Sequence, residues 1–440
     1  MRTVAEHQHA VRELLAGLAG RGTVEVEVSA GALARTRDLD RVLGADVFSP
    51  VDHPPFDNSQ MDGYAVRSGE VVAGRRFVVA ARIAAGAPVG TLEPGTAAPI
   101  MTGAPIPEGA DAVIPIEAAT PDSFPRELGS GGAVATRPGA DAARPGPAGP
   151  GDRAVVEFAA APQPGSYVRP RSSDLAAGAL LLPSGTRLGP AQWGMLAASG
   201  ITRVPVLRRL SVLVLSTGDE LRAPGATLAP GQIFDANSTI MTAAISGGGA
   251  AVIAVRTVTD DAAALRAILA REAATADLIV TTGGVSKGAY EVVRDVFEPA
   301  GVAFGPVAMQ PGGPQGLGIA TLADETDAAF EVPVVAFPGN PVSALVSFEM
   351  FLRPVLRELH GLPGDRPSAI AGLASPLVSP AAKHQVRRGR LDSGGAVELV
   401  GGPSSHLLHG YAISTLLVHI PPGVSGLGAG DPVETWSIID

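Results

Sequence analysis

The chain contains no cysteine, which removes disulfides, thiolate metal ligands and thiol nucleophiles from consideration and fits a cytoplasmic protein. Lysine is nearly absent: Lys287 and Lys383 are the only two, and arginine carries the rest of the positive charge. With 43 acidic and 33 basic residues the net charge is −10, and no basic stripe offsets it, so nucleic acid is a poor partner. No apolar run reaches the roughly 18 residues of a membrane span, so no membrane association is expected. The opening MRTVAEHQHAVRELL lacks the apolar core of a signal peptide. The eight histidines show no zinc-type spacing, His7 and His9 being the one close pair. A serine nucleophile elbow, a Walker A loop, a dinucleotide fingerprint and tandem repeats are also missing.

What remains is a chain of 440 residues, 46 % of them hydrophobic, enough for several domains and a sizeable core. Residues 4–20 read as an amphipathic helix with Val4, Val11, Leu14, Leu15 and Leu18 on its apolar face, and 31–47 as a second helix. Residues 50–120 read as a small all-β unit. Residues 129–152 are Gly-, Pro- and Ala-rich and predict a mobile surface loop. Residues 164–206 return to strands and loops, with a short helix at 190–199. From 209 to 359 strand and helix alternate, which predicts a doubly wound parallel sheet. Short Val/Leu strands in 364–440 predict a small β-barrel or sandwich. The fold class is thus α/β plus β. The expected units are 1–50 with 153–206, then 51–152, 207–359 and 360–440.

Three apolar runs in the α/β part end abruptly in polar loops: RLSVLVLSTGDEL, DLIVTTGGVSKG and VAFPGNPVSALVSFE. Ligands bind at the carboxyl ends of strands in such sheets. There, backbone amides and helix N-termini suit an anion, and carboxylates suit its metal ion. In Thr281–Ser286, Gly283 and Gly284 let amides approach a ligand, and flanking hydroxyls such as Thr282 and Ser286 can join. An ordinary strand-to-helix turn is the plainer alternative. Asp219 and Glu220 can hold Mg²⁺, with Asp219 read as structural and Glu220 as functional. One of Asp260 and Asp261 caps the next helix and leaves the other for the site. Asn237 or Ser238 reads as a further cap. Pro338, Asn340 and Ser343 flank a rigid corner in which Pro341 suits the first helical position. The cluster around Asp57 and Asp62 is the densest polar stretch outside this part; alone it reads as a loop.

Together PFDNSQMDGYAV, IMTGAPIPEGADAVIPIE, LSTGDEL, VTTGGVSKG, MQPGGPQG and FPGNPVSALVSFEMFLRP resemble, in that order, the molybdopterin molybdenumtransferases of the MoeA type, relatives of the gephyrin E domain. The resemblance covers nearly the whole chain. It implies four domains, the first a discontinuous linker and dimerisation unit, in a homodimer. It also implies Mg²⁺-dependent cleavage of adenylylated molybdopterin, with molybdate transferred to the dithiolene and AMP released. Glu220 and Asp260 would hold the metal, and Asp57 would act with them. Asp57 and Thr102 would be the partner subunit's contribution, and Thr102 and Asp62 would bind substrate. Thr282, Gly283, Gly284, Ser286, Glu291, Asp219, Pro338 and Asn340 would bind the pterin substrate. Gly312, Ser343, Arg388, Ser405 and His406 would form the molybdate pocket. Molybdopterin adenylyltransferase and the molybdoenzymes or their chaperones would be the partners.

The chain departs from that pattern. Where the family often has KPGKP it has Gln310-Pro311-Gly312-Gly313-Pro314, without either lysine. Glu291 stands where an aspartate is usual, and Ser172-Ser173-Asp174 replaces Gly-Glu-Asp. The missing lysines favour a molybdopterin carrier or scaffold as an alternative; a molybdopterin adenylyltransferase is a second, against which the extra domains count, since that enzyme resembles the 209–359 unit alone.

Overall fold

The computed structural model describes residues 1–35, 40–125, 154–286 and 291–439. The α/β part contains a six-stranded sheet in the order Ala251–Val258, Ser211–Thr217, Leu278–Thr282, Ala329–Phe337, Pro314–Ala323, Val302–Pro306. The first four strands are mutually parallel. Pro314–Ala323 runs against both neighbours, so the sheet is mixed where a wholly parallel one was expected. The reason is connection length. Only residues 324–328 separate this strand from the next, too few for a crossover but enough for a hairpin turn. Asp324 closes that turn by accepting from the Thr326 and Ala328 amides at 2.8 and 3.1 Å.

The central strands are continuous apolar runs because both sheet faces are covered. Val212, Val214, Leu278 and Val280 face a core shared with the helices Val4–Leu15, Ala236–Gly247 and Pro341–Ser347. Leu213, Leu215 and Ile279 face the opposite core, with Ala262–Glu272 and Val292–Phe297. The first helix begins at a capping box in which Thr3 Oγ1 accepts from the Glu6 amide at 3.2 Å and Glu6 Oε2 from the Thr3 amide at 2.8 Å. Its α-helical part ends at Leu15, followed by a 3₁₀ turn at Ala16–Leu18.

The cores draw different boundaries from those expected. Val11, Leu15 and Leu18 belong to the α/β core, while residues 23–48 and 180–207 share a separate core around Leu43, Trp193 and Leu196. Within the expected helix over 31–47, the stretch up to Arg35 is helical as part of Ala30–Arg35, whereas Arg41–Val42 and Val47–Phe48 are strands paired with Arg187–Leu188 and Leu180–Leu182. The small β unit is a six-stranded sheet around Tyr64, Phe77 and Phe158. Val155–Phe158 pairs with Arg76–Val79 and Ala119–Thr120, so this sheet reaches past residue 152. The loop expected at 129–152 lies outside the described residues. Among the described residues, no helix is long and apolar enough to cross a membrane.

The C-terminal sheet runs Met309–Gln310, His384–Leu391, Leu416–Ile420, Pro432–Ser437, Ser368–Gly372. Its first strand comes from the α/β stretch, and Gln310 pairs with Gln385. That pairing sets the Gln310–Pro314 loop against the C-terminal unit.

Candidate functional site

A cavity of about 780 Å³ opens where Ser211–Thr217, Leu278–Thr282 and Ala329–Phe337 end. Its wall includes Glu220, Asp260, Gly283, Gly284, Ser286, Glu291, Gly312, Pro338, Asn340, Ser343 and Ser405, all expected from the sequence. The turn at Gly283–Gly284 requires glycine. Both residues have positive φ, +94° and +59°. A Cβ on Gly283 would lie 2.7 Å from the Thr217 carbonyl oxygen, and one on Gly284 would lie 2.9 Å from the Val293 amide nitrogen. The loop is thereby pressed against the neighbouring strand end, which leaves its backbone lining the cavity.

The acidic side of the wall is electrostatically strained. Burial raises the Asp260 carboxyl above its ordinary value, and with the nearby charges of Asp219, Glu220 and Glu291 it outweighs a bond from the Asp219 backbone that lowers it. Asp261 is the cap, accepting from the Ala263 amide at 2.8 Å, so Asp260 is left for the cavity. Asp219 does not line the cavity; its carboxylate accepts the Asp260 amide at 3.0 Å and braces that residue. Glu291 Oε2 accepts from the Ser286 amide at 2.9 Å. Among the described residues no group of three or more His, Asp or Glu is arranged to hold a metal. Glu220 and Asp260 offer two carboxylates in a locally over-negative site. That donor set fits a Mg²⁺ ion that takes its remaining ligands from water and phosphate oxygens.

Other expected residues fall elsewhere. Thr282 is buried beneath the loop, its hydroxyl 3.4 Å from that of Ser216, and does not line the cavity. Arg388, expected at the molybdate pocket, is fully buried and is not among the residues lining the cavity. Its Nη2 donates to the Gly402 carbonyl at 2.5 Å, supporting the loop that carries Ser404 and Ser405. His406 contacts the Ser404 hydroxyl through Nδ1 at 2.8 Å but does not line the cavity either. Asp57, Asp62 and Thr102 also lie outside this cavity. Asp57 Oδ1 accepts from the Arg171 amide at 2.6 Å. Asp62 Oδ1 accepts from the amide and hydroxyl of Thr102 at 2.7 and 2.9 Å, which lowers its carboxyl below the ordinary value.

The cavity also contains residues that sequence reasoning did not assign. Lys383 lines it beside Gln310, Gly313 and Ser404, so a cation is present although both loop lysines are gone. Nothing in the sequence distinguishes Lys383 from a surface lysine; Lys287 lies outside the described residues. Asp235, not Asn237 or Ser238, caps the helix Ala236–Gly247. Burial pushes its carboxyl up, but bonds from the Ser238 hydroxyl and amide, Thr257 and Ser216 outweigh that and lower it overall. Asn237 Nδ2 donates to the Gly339 carbonyl at 2.7 Å, tying two walls of the cavity together. Pro341 occupies the first helical turn after Asn340, as expected.

A glycine turn, two carboxylates and a lysine thus line one cavity at the carboxyl edge of an α/β sheet, where such sheets bind their ligands. Comparison with known proteins narrows this class. The family "MoeA N-terminal region (domain I and II)" matches residues 2–200, and "Probable molybdopterin binding domain" matches 213–358. The chain is 42 % identical over 453 residues to molybdopterin molybdenumtransferase 2 of Mycobacterium tuberculosis, covering 100 % of both chains. It is 31 % identical over 402 residues to the molybdopterin molybdenumtransferase of Haemophilus influenzae, covering 90 % of each. The structure of a molybdopterin biosynthesis MoeA protein from Pyrococcus horikosii superposes with a TM-score of 0.74 at 28 % identity, over 99 % of this chain and 98 % of that one. The chain belongs to the molybdopterin molybdenumtransferases, transferases of molybdenum cofactor biosynthesis.

Proposed function

We propose that this protein transfers molybdate to adenylylated molybdopterin and releases AMP, with Mg²⁺ as its cofactor. The observation that carries this is the joint lining of one cavity by Glu220 and Asp260, by the Gly283–Gly284 turn, and by Lys383 with Ser343 and Ser405. The turn's amides receive phosphate oxygens. Glu220 and Asp260 would hold the metal, which when bound would supply positive charge to offset that developing on the phosphoanhydride. Glu291 and the Pro338–Asn340 corner bind the substrate beside them. Lys383, Gly312, Ser343 and Ser405 receive the tetrahedral oxyanion, with Arg388 acting through the loop it supports.

Asp57, Asp62 and Thr102 complete the site from the partner subunit of a homodimer, which accounts for their distance from their own chain's cavity. The protein works in the cytoplasm between a molybdopterin adenylyltransferase and the molybdoenzymes or their chaperones.

The absence of lysine at Gln310 and Gly313 favours a second reading, a molybdopterin carrier or scaffold. AMP release from adenylylated molybdopterin, followed in Mg²⁺ with and without molybdate, separates the two. Molybdate-dependent release establishes the transferase; tight pterin binding without release establishes the carrier.

A further inference from the structure

Phe234 is the only aromatic side chain among the described residues that line the cavity, and it is 46 % exposed. Its neighbour Ile233 also lines the wall and is 53 % exposed. The two-residue strand that holds them is pinned to the site: the Ile233 amide donates to the Glu220 carbonyl at 2.9 Å, and the Asp235 amide to that of Arg222 at 2.8 Å. The exposed ring is thus presented by fixed backbone. Asn237 lies three residues on, 7 % exposed, with Oδ1 buried and, among the described residues, without a hydrogen-bond partner. Its orientation is determined, because the Gly339 carbonyl can only accept and therefore takes Nδ2. An unsatisfied buried acceptor in a cavity wall is costly unless a ligand donates to it.

We propose that Phe234 is a stacking platform for a flat amino-substituted heteroaromatic ring, whose exocyclic amino group donates to Asn237 Oδ1. This rests on the transferase reading, in which the substrate carries two such rings, an adenine and a pterin. The platform takes the adenine. Phe234 follows directly on Ile233, whose amide donates to the Glu220 carbonyl, and so lines the same wall as the carboxylates that face the phosphoanhydride. It is a specificity residue: it selects the nucleotide without taking part in bond breaking.

The test uses the full chain and three probes: AMP, inosine monophosphate and the unphosphorylated pterin neopterin. Each is titrated calorimetrically into wild type, Phe234→Ala and Phe234→Trp. Base stacking on an aromatic side chain predicts a loss of roughly tenfold in AMP affinity for Phe234→Ala. Phe234→Trp should bind AMP like wild type, with its added indole fluorescence quenched. Wild type should bind inosine monophosphate more weakly than AMP, because an oxo group replaces the amino donor. A loss of neopterin binding with AMP unaffected keeps the platform and assigns it to the pterin. Equal affinity of wild type and Phe234→Ala for both rings overturns the proposal. A half-exposed side chain leaves the core intact, so the unfolding temperature of Phe234→Ala should match wild type. If the ring preferences hold but no AMP is released in the transfer assay, the transferase reading fails and the platform does not.

Discussion

Two acidic regions of this molecule have opposite environments. Around the cavity, Asp260 has its carboxyl raised by burial and by Asp219, Glu220 and Glu291. On the small β unit, Asp62 has its carboxyl lowered by two bonds from Thr102. In the first region neighbouring carboxylates raise one another's cost of ionising; in the second a carboxylate is satisfied by the donors of one residue. In our proposal the mutual repulsion of the first kind is relieved by a bound cation. Satisfaction of the second kind shapes a loop. In our proposal this satisfied loop acts on a neighbouring subunit's cavity while its own geometry stays fixed.

The largest effect should come from removing charge in the strained region. Glu220→Gln should lower molybdate-dependent AMP release by on the order of a hundredfold, the scale for losing a group that stabilises developing charge. Its Mg²⁺ requirement should move to higher concentrations. Loss of release without any change in Mg²⁺ dependence would remove Glu220 from the metal site. Next comes the cradle. Gly283→Ala places a Cβ 2.7 Å from the Thr217 carbonyl oxygen at φ +94°, a strain of about 1–3 kcal/mol. It should lower the unfolding temperature and weaken phosphate binding together. Lys383 is exposed, so its charge is screened, and Lys383→Met should raise the molybdate KM about five- to tenfold with little change in kcat. Lys383→Arg should retain most of the affinity. An unchanged KM in Lys383→Met would leave the oxyanion to neutral donors alone.

The sequence is readable where apolar runs meet polar loops. Val212–Leu215 and Leu278–Val280 alternate between two cores, so their runs are unbroken and their polar ends announce the sheet edge. The carboxylates and glycines of the cavity follow from that placement. The cations do not. Arg388 and Lys383 are close in sequence, yet Arg388 shares a strand face with core residue Val386 and is buried, while Lys383 precedes the strand and reaches the cavity. Residue type cannot reveal this, because Gln385 and Arg387 on the strand's other face are buried as well, so the fate of each cation depends on where the strand begins. The boundary near 152 was hidden for another reason. The Gly/Pro-rich segment interrupts a single sheet, whose strand Val155–Phe158 follows the insertion. The shortened second helix has a local cause: Leu43 is buried in a separate β-rich core, and Gly44 packs against Thr23 where a Cβ would lie 2.1 Å from its methyl group.

The smallest effects separate the two acidic regions most directly. A carboxyl raised in the folded state opposes folding once ionised, so Asp260 reduces stability at neutral pH and ceases to do so as pH falls through its folded value, which lies above 3.8. Asp260→Asn should therefore raise the metal-free unfolding temperature at pH 7, and the gain should vanish below about pH 4. Asp62 has the opposite sign. Its lowered carboxyl contributes stability above the ordinary value of 3.8, lost as pH falls through the folded value. Asp62→Asn should lower the unfolding temperature at pH 7, by no more than about 2 °C for so exposed a group. Mg²⁺ sharpens the contrast, because an ion bound only by the folded protein stabilises it in proportion to occupancy. Added Mg²⁺ should stabilise wild type and Asp62→Asn alike and leave Asp260→Asn nearly unmoved. Equal Mg²⁺ responses in all three would mean that the strain at Asp260 is relieved by something other than a metal, and Lys383 would then be the first side chain to test as its counter-charge.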